Sequence, residues 1–242
     1  MDRGLYVIAS GMLTELARQE RIAHDLANSA TPAYKAQHVA QNEFDEMLLS
    51  SQRTGLPIGE ASLGVEQVGL TIDFKQGALK RTDEQFDIAL DGEGFFVVQT
   101  DSGPRYTRNG QLRLDGESRL VTANGLPVLG DDGKPIVVKG SGNMSIAPDG
   151  TVIRDGKTAG KIHVVSLTNV TKESESLFRG TAGARPEGTA VRQGTLEGSN
   201  VEAAETMVEM ISSLRSFEAG QKVLHSIDET LQRSIQMGGP SS

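Results

Sequence analysis

The chain has 242 residues, a formal net charge of −8, 4% aromatics and neither cysteine nor tryptophan. The length allows one large or two small domains, and the acidic balance excludes a reader of nucleic acid, whose phosphates need a basic face. Lack of cysteine removes disulfides, thiolate catalysis and Cys-ligated metals together.

The first element follows at once from the pattern. Leu5, Ile8, Met12, Leu16, Ile22, Ala23 and Leu26 recur at helical spacing, which predicts an amphipathic helix from about Arg3 to Leu26. Leu5, Met12 and Leu26 share one heptad column, broken by Gln19, while Ile8 and Ile22 share another in which Glu15 intervenes. Polar residues in such a seam weaken it but can fix its register. Ala27-Asn28-Ser29-Ala30-Thr31-Pro32 then stops the helix, because Asn tolerates the left-handed conformation and proline cannot continue the ladder. The opening holds charged residues Glu15, Arg18, Glu20 and Arg21 and lacks the apolar run and small-residue cleavage site of a secretory signal. No stretch of about 18 apolar residues suggests a transmembrane span.

From Ala36 to Gln76 the pattern is weaker. Val39–Ser50 accommodates a short helix, Thr54–Gly59 has loop chemistry, and Gly64–Phe74 alternates through Val65, Val68, Leu70, Ile72 and Phe74 as an extended segment. Beyond Gly77 the chain turns β-like. Asx-Gly pairs recur at Asp91, Asn109, Asp115, Asn124, Asp132, Asp149 and Asp155, and such pairs supply the positive φ of tight turns. Between them lie β-rich runs at Phe95–Gln99, Gln111–Leu114, Ile136–Val138, Thr151–Ile153 and Lys161–Leu167. The last stretch, Val201–Ile235, has no proline and a single glycine, Gly220. Its stripe of Met207, Ile211, Leu214, Phe217, Leu224, Ile227 and Leu231 predicts a second, long amphipathic helix, with Ser199 and Asn200 placed as caps.

The expected fold is therefore α+β: paired, coiled-coil-like N- and C-terminal helices flanking a mainly antiparallel β domain. The boundaries fall at 1–35 (first helix), 36–76 (connector), 77–197 (β domain) and 198–242 (last helix, packed on the first). Chemistry is hard to find. Gly92-Glu93-Gly94 lacks the third glycine of a dinucleotide fingerprint and leads into a strand. The aspartates before Gly116 and Gly133 lack the spaced ligands of an EF-hand. His24, His38, His163 and His225 are scattered, with no paired ligand spacing. No catalytic residue, cofactor or metal ligand is assigned, and an enzyme is not expected.

Three separated stretches carry a resemblance. Leu26-Ala27-Asn28-Ser29-Ala30-Thr31-Pro32-Ala33-Tyr34-Lys35 resembles the signature that ends the first helix of bacterial flagellar rod and hook proteins, with Ala33 where glycine is usual and Asp25 where asparagine is common. Leu90–Val98, Tyr106–Gly110 and Leu120–Gly125 are similar to the β domain of that axial family. Gly194–Val201 and Met207–Ile211 are similar to its C-terminal helix. The opening Met1-Asp2-Arg3, the short connector and Ser226–Arg233 resemble the proximal-rod branch, with the distal-rod branch as the alternative. The resemblance implies a structural subunit of the basal-body rod, a hollow shaft that transmits torque and passes exported subunits. It implies copies of itself and other rod proteins as partners, export by the flagellar type III apparatus without a cleavable signal, and a periplasmic rod location. The assembly interface is then expected at Leu5, Ile8, Met12, Leu16, Ile22, Leu26, Asn28, Met207, Ile211, Leu214, Phe217, Leu224, Ile227 and Leu231. A secreted binding module or hydrolase with a β core is the competing class.

Overall fold

The computed structural model of the protein describes residues 2–43, 47–50, 57–61, 65–174 and 176–237. They divide into two compact units: Met1–Ala27, Gln37–Thr71 and Ala203–Ser242 form the first, Asn28–Ala36 and Ile72–Glu202 the second.

Helices α1 (Asp2–Ala27) and α2 (Ala203–Met237) dominate the first unit and pack on one another. α1 ends where the sequence requires it to: Thr31 N–H returns to Asn28 O at 3.0 Å, and Pro32 offers no amide to extend the helix. α2 opens with Glu205 in its first turn, where a carboxylate meets the positive end of the helix dipole. The same unit holds β1 (Gln37–Glu43), β2 (Met47–Ser50), β3 (Pro57–Ala61) and β4 (Val65–Ile72). β1 pairs with β4, and β2 pairs antiparallel with β3 in the register Met47↔Ala61. The short helix expected over 39–50 is not formed at 39–43 or 47–50, which are strands; residues 44–46 lie outside the described residues. A weak local helical tendency yields here to strand pairing, of β1 with β4 and of β2 with β3. The expected loop at 54–59 lies outside the described residues up to 56, and Pro57–Gly59 open β3.

The second unit is antiparallel throughout its recorded pairs. Its strands are β5 (Leu79–Arg81), β6 (Ile88–Asp91), β7 (Phe95–Thr100), β8 (Gly103–Thr107), β9 (Leu112–Leu114), β10 (Leu120–Thr122), β11 (Met144–Ile146), β12 (Thr151–Arg154), β13 (Lys157–Lys161), β14 (Val164–Val165), β15 (Leu167–Lys172), β16 (Phe178–Ala182), β17 (Ala190–Gln193) and β18 (Thr195–Glu197). The largest sheet runs β14-β7-β8-β16-β15; β11-β12-β13 form a meander, and β9–β10, β6–β17 and β5–β18 are two-stranded. β7 explains the core. Phe96 and Val98 join Ile88, Leu90, Leu120 and Ile162 on one face, whereas Phe95 and Val97 join Tyr106, Leu129 and Phe178 on the other. A strand covered on both sides must read as an unbroken apolar run, and Phe95-Phe96-Val97-Val98 does. Phe95, Phe74 and Phe178 meet edge to face with centroids 5.5–5.8 Å apart, the geometry ring quadrupoles favour. The expected strand at 136–138 is absent: Val137 makes one bridge to Arg119, while Ile136 and Val138 are buried. Pro135 lacks a donor for a longer ladder.

Candidate assembly interface

The helix pair has a readable seam. Along α1 the less exposed positions include Leu5, Ile8, Met12, Glu15, Gln19, Ile22 and Leu26; along α2 they include Thr206, Met210, Ser213, Phe217, Gly220, Leu224 and Ile227. Both series alternate steps of three and four, which keeps a stripe aligned along a neighbouring helix. Two contacts fix the facing residues. Ser213, 2% exposed, donates from Oγ to Glu15 Oε2 at 2.5 Å. A Cβ placed on Gly220 would lie 2.9 Å from Met12 Cγ, so the glycine is what lets Met12 seat there.

Outside the seam, the pair leaves large apolar side chains in solvent. Tyr6, Leu13 and Leu16 do so on α1, and Met207, Val208, Ile211, Leu214 and Val223 on α2. Leu13 is 67% exposed, and Met207 and Ile211 are each 51% exposed. Single exposed apolar residues are ordinary, but a run along one helix marks an interaction surface. The interface residues expected from sequence thus fall in three places. Leu5, Ile8, Met12, Ile22, Leu26, Phe217, Leu224 and Ile227 are on the seam side; Leu16, Met207, Ile211 and Leu214 are exposed; the side chain of Leu231 lies outside the described part of α2. Asn28 follows α1 in the second unit, buried, with Oδ1 accepting from Thr31 Oγ1 at 3.0 Å. The apparent single stripe of α2 resolves into two neighbouring columns, because Met207, Ile211 and Leu214 lie one residue round the helix from Thr206, Met210 and Ser213.

Inside the second unit, the two motif stretches meet. Lys35 and Glu197, 162 positions apart, form an ion pair with Nζ–Oε1 2.6 Å, and both side chains are fully buried. Lys35 Nζ also donates to Lys75 O at 2.5 Å. Glu197 Oε1 accepts from Gly77 N at 3.1 Å, and its Oε2 accepts from Arg108 Nη1 at 3.4 Å. Arg108 Nη1 lies 2.8 Å from Gly92 O, and its guanidinium sits over the Phe95 ring. Backbone bonds stitch the same place: Ala33 N to Glu197 O at 2.8 Å and Gly198 N to Ala78 O at 2.9 Å. Asn200, read from sequence as a helix cap, instead accepts from Ala36 N and donates to Asp73 O, both at 2.8 Å. Ser199 Oγ does accept from Val201 N at 3.1 Å. Gly77 has to be glycine, since a Cβ there would fall 2.1 Å from Gly198 O.

Electrostatically the cluster holds two cations and one carboxylate. Burial pulls the Lys35 ammonium below its ordinary value, outweighing the opposite pull of Glu197; burial likewise lowers Arg108, again against Glu197. Ala33 takes φ of +56° and is 2% exposed. That left-handed backbone is why glycine suits the position so well. Sequence reading assigned no role to Lys35, Arg108 or Glu197. The available signal was a lone charge in each motif, amid small and apolar residues. Among the described residues no group of three or more His, Cys, Asp or Glu is placed to hold a metal, and no helix is long and apolar enough to cross a membrane.

Comparison with known proteins places this arrangement. A family model described as flagellar basal body rod FlgEFG protein C-terminal matches residues 192–237, and one described as flagellar hook protein FlgE/F/G D1 domain matches residues 89–154. The flagellar basal-body rod protein FlgF of Salmonella typhimurium is 32% identical over 261 residues, covering 98% of each chain. The chain belongs to the flagellar basal-body rod protein family. FlgF of Caulobacter vibrioides is 30% identical and covers 99% of both chains; the flagellar hook-basal body complex protein FlhO of Bacillus subtilis is 32% identical over 97% of both. FlgG proteins are relatives too. As a rod protein of the FlgF type, the chain is a structural subunit of the flagellar basal body. The C-terminal family match begins in β17 and takes in Glu197 and α2, so it spans both the buried ion cluster's carboxylate and the exposed column of α2.

Proposed function

We propose that the α1–α2 pair is the polymerising element of this rod subunit, with a coiled-coil-like seam inside the chain and an apolar outer face that packs on neighbouring subunits. One observation carries the reading: Met207, Ile211 and Leu214 on α2, with Leu13 and Leu16 on α1, are 40–67% exposed although each is a large apolar side chain. Burying such a side chain contributes roughly 1.5–3 kcal/mol. Repeated in every subunit, that gives a stiff shaft. Contacts between unlike faces that do not close on themselves build a helical filament. The neighbours are copies of this chain and other rod proteins.

The labour divides along the chain: axial segments at 1–35 and 198–242, a connector at 36–76, and a β domain at 77–197. The expected interface residues work on both sides of the helices, Leu5, Ile8, Met12, Ile22, Leu26, Phe217, Leu224 and Ile227 within the pair and Leu16, Met207, Ile211 and Leu214 between subunits, with Asn28 shaping the turn after α1. The shaft acts mechanically, without catalysis, transmitting torque in the periplasm and passing exported subunits; the chain itself is exported by the flagellar type III apparatus. The test is Leu214→Asp in the full chain. Swimming and purified basal bodies should lose the rod beyond this subunit, while the soluble protein keeps its β circular dichroism. Normal rods would contradict the reading.

A further inference from the structure

Two motif stretches, 26–35 and 194–201, have no task in the assembly reading beyond the turn at Asn28. Their place in the chain suggests one. The backbone crosses between the two units four times, after Ala27, Ala36, Thr71 and Glu202. Three of these crossings adjoin one small region of the β unit, where segments 33–36, 73–77 and 197–200 meet. The fourth reaches it through the turn after α1.

Two side chains of one segment hold the region together. Glu197 Oε1 accepts from Lys35 Nζ at 2.6 Å and from Gly77 N at 3.1 Å. Asn200 Oδ1 accepts from Ala36 N and its Nδ2 donates to Asp73 O, both at 2.8 Å. Each side chain therefore ties its own segment to both of the others. Main-chain bonds add further links, Ala33 N to Glu197 O at 2.8 Å, Asp73 N to Ala36 O at 2.9 Å and Asn200 N to Tyr34 O at 3.3 Å. Tyr34, Lys35 and Glu197 are all buried, so water is poorly placed to replace a broken link. A buried donor or acceptor that loses its partner costs more than the bond contributes, and a buried charge costs more still.

The arrangement also has a direction. Ala33 faces Glu197 and Tyr34 faces Asn200, so segments 33–36 and 197–200 run the same way. A pull on the chain before Asn28, set against a pull beyond Glu202, slides one segment past the other. The cross-links then share the strain, whereas peeling the segments apart would break them singly.

We propose that the Glu197 and Asn200 staples form the mechanical joint of the chain, where force running along either helix enters the β unit and is resisted in shear. That such force arises in a rod rests on the assembly reading above; the joint itself does not.

The chain has no cysteine, so pairs of introduced thiols can take the handles of a single-molecule force experiment on the dilute full-length protein. Ala27→Cys/Ala204→Cys pulls across the joint. Asp101→Cys/Lys157→Cys pulls on two exposed sites of the β unit outside it. Asn200→Ala should raise the unfolding rate at a given force about tenfold or more along the first axis, and less than about twofold along the second. Val98→Ala, in the core, should act at least as strongly on the second axis as on the first. Glu197→Gln should follow Asn200→Ala with a larger effect; if it does not fold, Asn200→Ala alone decides. Equal weakening of both axes by Asn200→Ala would make the region ordinary core, and no weakening along the first axis would leave it no joint at all; either result overturns the proposal. The assembly reading is tested apart from this: Leu214→Asp should leave the wild-type force pattern unchanged, and normal rods in that variant would sink the assembly face while the joint stands.

Discussion

The helix pair and the β unit solve opposite problems with the same chain. The β unit closes on itself: its core residues are buried, β7 is covered on both faces, and even a lysine, an arginine and a glutamate are sealed together inside it. The helices do the reverse, leaving Leu13, Met207, Ile211 and Leu214 in solvent. A long helix gains most of its stability from what it packs against. One part is thus complete in the single chain, and on the proposed assembly reading the other becomes complete in the rod.

The largest effects should separate the two parts. Leu214→Asp puts an unpaired carboxylate in the proposed contact between subunits, at a cost of several kcal/mol repeated in every copy; assembly, read by motility and electron microscopy of basal bodies, should vanish while the thermal melt of the β unit stays put. Glu209→Gln, on the polar side, should change neither. Next comes the mirror image. Glu197→Gln leaves Lys35 and Arg108 buried without their anion, and losing one side of a buried pair costs about 3–5 kcal/mol. Urea unfolding should show the β unit destabilised by that order. Lys35→Met should cost less, about 1–2 kcal/mol for the lost hydrogen bonds, because Arg108 still faces Glu197. If Lys35→Met proves the more damaging, the cluster is a simple pair and not two cations around one carboxylate.

A smaller effect concerns pH. The Lys35 value is lowered in the folded unit below the ordinary 10.5, with burial as the main cause. Between that lowered value and 10.5 the unfolded chain binds more protons at this site, so stability rises with pH across the window. An ion pair that raised the lysine would leave stability flat across that window and lose it only as pH rises above 10.5. The measurement is the difference in urea midpoint between wild type and Lys35→Met from neutral pH to pH 10, which should shift in favour of the wild type as pH rises. Smallest of all, Ala33→Gly should stabilise the β unit by at most about 1 kcal/mol, since a left-handed alanine is strained but its buried methyl would be lost.

How legible each part was follows from how local its cause is. Both long helices could be read from their apolar spacing, and α1's end from Asn28 and Pro32, because those signals lie within a few residues. β7 was legible as a strand, since a continuous run of Phe95–Val98 has few other uses. The strand at 37–43 was not, because its reason is β4, more than twenty residues away in sequence. Lys35 and Glu197 were each visible inside a motif, but nothing local says that a lysine and a glutamate 162 positions apart share a dry pocket. Asn200 misled in the same way: a cap residue by position, it is a stitch to Ala36 and Asp73 by contact. The two columns of α2 were merged because the apolar stripe crosses from the outer column to the seam between Leu214 and Phe217 in an ordinary helical step of three.

Amide hydrogen exchange on the dilute full-length monomer tests the division most directly. The amides of Ala33, Ala36 and Gly198, bonded into the β unit, should exchange as slowly as those of β7, although they flank the helices. Amides along α1 and α2 should exchange much faster and gain protection only in assembled rods. Helices as protected as β7 in the monomer would mean the pair is already complete, and the contrast between the two parts would be wrong.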